Sequence, residues 1–386
     1  MAKFWRRAFR TTVQSQNVAS ETKSSTQSIL HLLGEAESLR GGYGEYAREG
    51  YCRNVVAHRA VQLVAQSVAG TPRYVAEPRE KRKENSRYAA LISRPSPGKT
   101  EHGLFFEIAA SLLIGGNAYI CVARAAGMPK ELHMLRQDRM EVVPGKGGMP
   151  SAYVYRVDGV ERRFPVRPVT GESDVIHLKR FHPLSDWYGL ASAEAAADAV
   201  DQHNKAAAWN RSLLQNGARP SGALVVGGDG YLPEEQYRRL KVELEDKHAG
   251  ASNAGRPIIL EGGLDWKEMS ISPKDMEYIA AKDSAARDVA LAFGVPPQLL
   301  GIPGDNTYSN MAEARLALWE QTVVPLAQEI VCAFNNALSR DFDGERMAID
   351  YDGITALSPR RDALWKRVSE AAFLTDEEKR RMVGVE

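Results

Sequence analysis

The stretch Phe293–Ala327, FGVPPQLLGIPGDNTYSNMAEARLALWEQTVVPLA, decides how this chain is read. Two helices with locally specified ends meet there across a loop that a simple globular core would not require. The incoming helix has Ser272 as N-cap, Pro273 at its first helical position and Asp275 at the capping-box site, and it stops at Gly294 ahead of Pro296 and Pro297. The outgoing helix is expected to begin at Asn310, with Glu313 three residues on, and its apolar positions resume after Pro325 at Ala327, Val331, Phe334 and Leu338. A proline there removes a backbone donor and crowds the preceding turn, which predicts a kink near Val324.

N-terminal to this stretch the pattern alternates between helix and strand. Residues 54–69 read as an amphipathic helix with Ala57, Val61, Val64 and Val68 on one face, and residues 101–114 as another with Phe105, Ile108 and Leu112. Strands follow in NAYICVAR from Asn117, in KELHML from Lys130, and in AYVYRV and VERRFPV, whose Asp158-Gly159 junction signals a tight hairpin. The fold class is therefore α+β.

From Gly189 the character changes. Nine alanines between Ala191 and Ala208 favour a helix running to Gln215, closed by Asn216-Gly217, yet its large apolar residues are only Val200, Trp209, Leu213 and Leu214. Such a helix has little to bury alone. Residues 218–270 then read as a small βαββ module: strand ALVV from Ala223, a helix over residues 233–247 stopped by Gly250, and PIIL pairing with LDWKEM across Glu261-Gly262-Gly263. The chain closes with two short helices, one opened by Ser358-Pro359 and one by Thr375 with Glu378 as a capping box, amphipathic through Leu364, Val368 and Ala371.

Composition sets bounds on function. With 386 residues and 44% apolar content there is enough for two or three compact units. Fifty Lys plus Arg against forty-nine Asp plus Glu give a net charge of +1, which argues against affinity built on wrapping DNA phosphates. Cys52, Cys121 and Cys332 have no C-x-x-C spacing and are expected to be buried small hydrophobes, with neither disulfide framework nor zinc site. No apolar run approaches the roughly 20 residues needed to cross a bilayer, so no membrane association through a span is expected. The opening MAKFWRRAFR carries basic and aromatic residues ahead of a Ser/Thr/Gln-rich stretch. It reads either as a solvated tail or as a grip on a neighbouring subunit, DNA or a membrane surface.

No catalytic arrangement is complete in the sequence. Gly98-Lys99-Thr100 is half of a phosphate-binding loop, but the first glycine of that motif falls on Ser93, and Thr100 is better read as a helix N-cap. His177 and His182, with Asp174 and Asp186 nearby, lack the spacing of a metal or acid-base site. Asp341-Phe342-Asp343-Gly344 and Asp350-Tyr351-Asp352-Gly353 lack the ligand spacing of an EF-hand and read as turns around a strand over Arg346–Tyr351. No metal, cofactor or catalytic residue is assigned.

The sequence V-P-P-x-L-L-G at Val295–Gly301, then T-Y-S-N at Thr307–Asn310, then a helix interrupted by Val324-Pro325, resembles the portal proteins of tailed phages, specifically the Hong Kong-type siphophage portal family, also found in gene transfer agents. The resemblance extends in family order to Asn54-Val55-Val56, Leu113–Tyr119, Asp174–His177, Gly189–Ser192 and Gln215–Pro220. Pro95-Ser96-Pro97 and Ala191 depart from the family's usual turn and serine.

The resemblance implies a portal fold. Its parts would be a flexible N-terminal arm (residues 1–45), an α+β wing (46–188), a first stem helix (189–217) and a small clip (218–270). A second stem helix (271–294), a tunnel loop region (295–309), a kinked wing helix and strand (310–356) and a short helical crown (357–386) would follow. It implies a homo-oligomeric ring, twelve-fold, at one capsid vertex of a virion or phage-like particle, assembled in the host cytoplasm. Double-stranded DNA would pass through it during packaging and ejection, with the major capsid protein, a head-tail adaptor and the large terminase as partners. Ile302, Pro303, Gly304, Asp305, Asn306, Thr307 and Tyr308 would then line the channel, and Glu234, Glu235, Arg238 and Arg239 on the clip would face adaptor and terminase. The clip's seven basic and nine acidic residues leave it at −2, suited to protein partners. Two rival readings are a metal-dependent hydrolase or nuclease using His177 and His182, and another capsid or adaptor subunit, which would lack the helix, clip, helix, loop, kinked-helix order.

Overall fold

Asn54 sets the first long helix, α1 (Val55–Ala69): its Oδ1 accepts from the backbone N–H groups of Val56 and Ala57, both at 3.0 Å. The computed structural model describes residues 42–77, 83, 86–215, 222–226, 233–236, 238, 239, 242, 264–268, 278–304 and 308–384. Ala57, Val61, Val64 and Val68 are all buried, as the helical spacing predicts. Arg73 ends α1, donating to the Val68 and Ala69 carbonyls at 2.9 Å, pairing with Glu101 and covering the Phe105 ring at 3.7 Å.

Against α1 packs α3 (Glu101–Gly115), capped by Thr100, which accepts from the Gly103 N–H. Between α1 and α3 in the chain come the short strand β1 (Arg73–Ala76) and the short helix α2 (Arg87–Ser93), each too short for its periodicity to be legible in the sequence. Gly116, left-handed at φ 70, closes α3 and feeds β2 (Asn117–Ala125). β2 is the centre of an antiparallel sheet with β3 (Met128–Leu135) and β7 (Val175–Lys179). A second antiparallel sheet holds β4 (Met140–Pro144), β5 (Pro150–Val157) and β6 (Val160–Pro165), where the Asp158-Gly159 turn has φ of 49 and 81, both positive, as a two-residue hairpin needs. Between these sheets Tyr119, Met140, Val142, Tyr153 and Phe164 make a core of their own.

The Ala-rich segment begins with α4 (Ser192–Ala195) and continues as α5 (Ala197–Gln215). It is not one unbroken helix, since Ala196 sits at ψ −1 and bends it. Its predicted stop at Asn216-Gly217 lies outside the described residues, as does the Ser272 cap of the next helix. In the small module β8 (Gly222–Val226) pairs antiparallel with β9 (Leu264–Glu268), Leu224 opposite Trp266. The LDWKE strand therefore pairs with the ALVV strand; PIIL lies outside the described residues.

α6 (Tyr278–Ala292) leads through the loop to α7 (Tyr308–Leu318), which starts two residues earlier than expected. At the place of the expected kink stands a turn of π-helix over Trp319–Val323, after which α8 (Val324–Leu338) carries Pro325 in its first turn. Widening the helix just ahead of the proline relieves the clash with the preceding carbonyls. Ala327, Val331, Phe334 and Leu338 are buried, and Phe334 stacks on Phe105 at 5.6 Å. β10 (Arg346–Ile349) pairs with β1 and ends short of Tyr351, because the Asp350 side chain accepts from the Gly353 N–H and starts a turn. α9 (Ser358–Glu370) and α10 (Asp376–Val383) complete the chain, the latter with the Thr375/Glu378 capping box in place.

Two further expectations need correction. The arm does not run to residue 45: a helix over Tyr43–Glu45 passes into a π-helix over Tyr46–Cys52, which buries Tyr46 and Gly50. Of the cysteines only Cys121 is buried; Cys52 and Cys332 are exposed, on helix faces turned to solvent.

Candidate functional site

α5 and α6 pack side by side, and small residues are buried on both: Ala206 on one helix and Ala285, Ala286 and Ala290 on the other. The pair is electrically balanced, with Asp198, Asp201, Asp283 and Asp288 against Lys205, Arg211, Lys282 and Arg287. Asn54 ties this pair to α1. Its Nδ2 donates to Asn204 Oδ1 at 3.0 Å and lies 3.2 Å from His203 Nδ1. Burial, and then Lys282, lower the His203 pKa, so this ring is a neutral buried acceptor.

The loop after α6 turns at Gly294, φ 65, whose carbonyl accepts from Thr322 Oγ1 at 2.6 Å. A short 3-10 turn, Pro297–Leu300, ends at the left-handed Gly301. Ile302 then turns inward, 6% exposed, against Ala286 and Ala290. It is therefore an anchor, and its assignment as a channel-lining side chain is corrected. Pro303 and Gly304 are exposed, and the Pro303 carbonyl accepts from the Arg287 guanidinium. Asp305, Asn306 and Thr307 lie outside the described residues. Tyr308 belongs to α7, not to the loop. Thus the loop leaves α6 from a fixed base.

On the small module Glu234, Glu235, Arg238 and Arg239 are all exposed and helical, with Glu234 and Arg238 paired at 3.0 Å one turn apart. A surface pair of that kind contributes little to stability, so these charges are available to a partner.

The rival constellations do not converge. His177 Nε2 donates to Asn117 Oδ1 at 3.1 Å and its ring stacks on Tyr119 at 4.3 Å, whereas His182 Nδ1 accepts from the Leu184 N–H. Lys99 is neutralised by Glu107, and Thr100 is spent as a cap. Asp341 receives both terminal nitrogens of Arg124 at 3.0 Å. Among the described residues no group of three or more His, Cys, Asp or Glu side chains is placed to hold a metal ion, and no helix is long and apolar enough to cross a membrane.

Residues that the sequence reading quoted only as parts of motifs turn out to join the elements. Asn117 Oδ1 also accepts from the Gly189 N–H at 2.8 Å, while its Nδ2 donates to the Gly115 carbonyl at 2.8 Å, so one buried amide fixes the point where the sheet meets the Ala-rich segment. Asn54 could have been found as an N-cap; its reach to Asn204 has no local signal.

His177 makes this junction sensitive to acid. Burial, aided by Lys179, lowers its pKa to about 3. The unfolded chain takes up this proton near pH 6.5 and the fold refuses it, so stability falls as pH drops from 6.5 toward 3. Between pH 7 and 5 the expected loss is about 2 kcal/mol. Urea midpoints at both pH values should show a smaller loss in His177→Gln; equal losses in both proteins would remove His177 as the cause.

The family profile for phage portal proteins matches residues 55–384. A protein of Rickettsia bellii is 45% identical over 356 residues, spanning 91% of this chain and 90% of its own length. The portal protein of Enterobacteria phage HK97 is 28% identical over 84% of this chain and 76% of its own. Among solved structures, a chain from the neck of a native gene transfer agent particle, computed with C12 symmetry, superposes with a TM-score of 0.70 at 41% identity, covering 93% of this chain and 98% of that one.

Proposed function

Since the chain belongs to the phage portal protein family, we propose that it is the ring-forming subunit through which double-stranded DNA is packaged into, and ejected from, a phage-like particle. The observation that carries this is the close pairing of α5 and α6 with a separate module inserted between them and a loop anchored at their far end. Alanine-rich, charge-balanced helices with little large apolar surface suit a wall shared by neighbouring copies. Leu291, 78% exposed beside the buried face of α6, gives one such copy something to cover.

In this reading residues 46–188 and 310–356 form the wing, 218–270 the clip, and 357–386 a short crown. The ring is twelve-fold, sits at a capsid vertex against the major capsid protein, and assembles in the host cytoplasm. DNA slides past without being held, because a strongly cationic wall would bind a polymer carrying one charge per roughly 1.7 Å. ATP chemistry belongs to the terminase.

Electron microscopy of the purified protein tests the ring: an axial channel of roughly 20 Å or more is expected, wide enough for the duplex. A monodisperse monomer at high concentration would end this reading. The clip is tested separately by Glu235→Lys and Arg239→Glu, which should abolish adaptor or terminase binding while rings still form. Normal binding in those variants, with loss on substitution in α9, would move the docking surface to the crown.

A further inference from the structure

A cavity of about 90 Å³ that the channel reading leaves unused is walled by Tyr43, Tyr46, Tyr119, Tyr188 and Glu194. Two oxygens of residues in its wall have no hydrogen-bond partner among the described residues: the hydroxyl of Tyr119, a residue only 1% exposed, and Oε2 of Glu194. Among the described residues no Lys, Arg or His lines it. A carboxylate oxygen can only accept, and a phenol oxygen can accept as well, so the guest that satisfies both is rich in donors. Water meets the hydrogen bonds but leaves the carboxylate, whose Oε2 is out of solvent, without a counter-charge. An ammonium or guanidinium group meets both needs, and tyrosine rings around it add cation–π attraction.

A groove beside this cavity has the same preference. A groove of about 350 Å³ shares Tyr46 with it and is lined by Glu45, Glu49, Asp198 and Asp201. Arg53 and Lys205 pair with Glu49 and Asp201, while Glu45 and Asp198 have no ion pair among the described residues. The described chain begins at Gly42, beside Tyr43 of the cavity wall. Ahead of it stands Met1–Arg10, MAKFWRRAFR, with Lys3, Arg6, Arg7 and Arg10, three aromatic residues and no acid. The intervening residues 11–41 can span up to roughly 100 Å, so the tether does not limit reach, and tethering raises the local concentration of the basic segment.

We propose that the tyrosine-walled cavity at Glu194, with the acidic groove that shares Tyr46 with it, is a docking site for a basic side chain, and that its occupant is the chain's own Met1–Arg10 segment. Docking holds that segment against the junction of the Ala-rich helix and the π-helix.

The test is tryptic cleavage after Arg6, Arg7 and Arg10 in the full-length protein, followed by mass spectrometry of the released peptides. Cleavage is expected to be at least tenfold slower than in the free decapeptide. Glu194→Gln should recover most of that rate. Glu45→Gln with Asp198→Asn, both on the exposed groove, should recover several-fold and remain informative if Glu194→Gln does not fold. Excess free decapeptide should also speed cleavage by competition. Equal rates in the protein and the free decapeptide would overturn the proposal, as would equal rates in wild type and the groove variant. Protection that appears only on adding DNA or anionic vesicles would assign the arm to those partners instead.

Discussion

Gly116→Ala is expected to destabilise the protein by roughly 2–5 kcal/mol, the sum of about 1–2 for a left-handed backbone and about 1–3 for overpacking. The physical cause is a backbone-to-backbone contact. A Cβ on Gly116 would overlap the Gly189 carbonyl and lie 2.7 Å from the Leu190 carbonyl carbon. A Cβ on Gly189 would overlap the Gly116 carbonyl and lie 2.6 Å from the Arg180 nitrogen. Neither neighbour is a flexible side chain that could swing aside. The Gly116 carbonyl is also held by the Arg180 N–H at 2.9 Å, and Asn117 bonds both sides of the junction. Gly127→Ala is the control, since φ there is 80 but nothing lies within 4 Å of an added Cβ. Urea unfolding should rank Gly116→Ala well below Gly127→Ala, with Gly189→Ala also strongly destabilised. Equal midpoints for the two left-handed positions would mean that backbone strain alone, not the contact, governs the junction.

The second large effect is expected in the loop. Asn306→Lys with Thr307→Lys should slow or halt DNA packaging by assembled rings and steepen the salt dependence of DNA association. Each lysine that meets a phosphate adds about 0.9 to the slope of log K against log salt. A loop whose base is pinned by Ile302 and by Arg287 on the Pro303 carbonyl presents its tip from a fixed point, and the natural tip carries Asp305 as its sole charge. Asp362→Lys adds a cation of the same kind on an exposed face of α9 and should leave the slope unchanged. If the loop variant packages at the normal rate and binds DNA with the same salt slope, the loop does not meet the duplex.

Much of this was written in local signals. Thr100, Thr375 with Glu378, Gly294 and the Asp158-Gly159 turn each fix an end or a reversal through atoms a few residues apart, so the sequence alone determined those elements and the α+β class. The apolar face of α8 was equally legible, because helical periodicity repeats within one element. Function was legible through motif order rather than chemistry, since a conduit needs no convergent catalytic group.

What the sequence left open depends on distance along the chain. Ile302 reads as a loop residue until α6 supplies Ala286 and Ala290 for it to cover. Pro325 predicts a kink, but whether a helix bends or widens into a π-turn is settled by the neighbours packed on either side, and here Val323 is fully buried at the widened turn. Asn54 caps α1 locally yet reaches Asn204 some 150 positions later, and Gly116 meets Gly189 across the sheet. Caps, turns and periodic faces are short-range and survive in the sequence alone; backbone contact, burial of a loop residue and a lone carboxylate in a cavity exist only once distant segments share the same space, and those were decided by the tertiary structure.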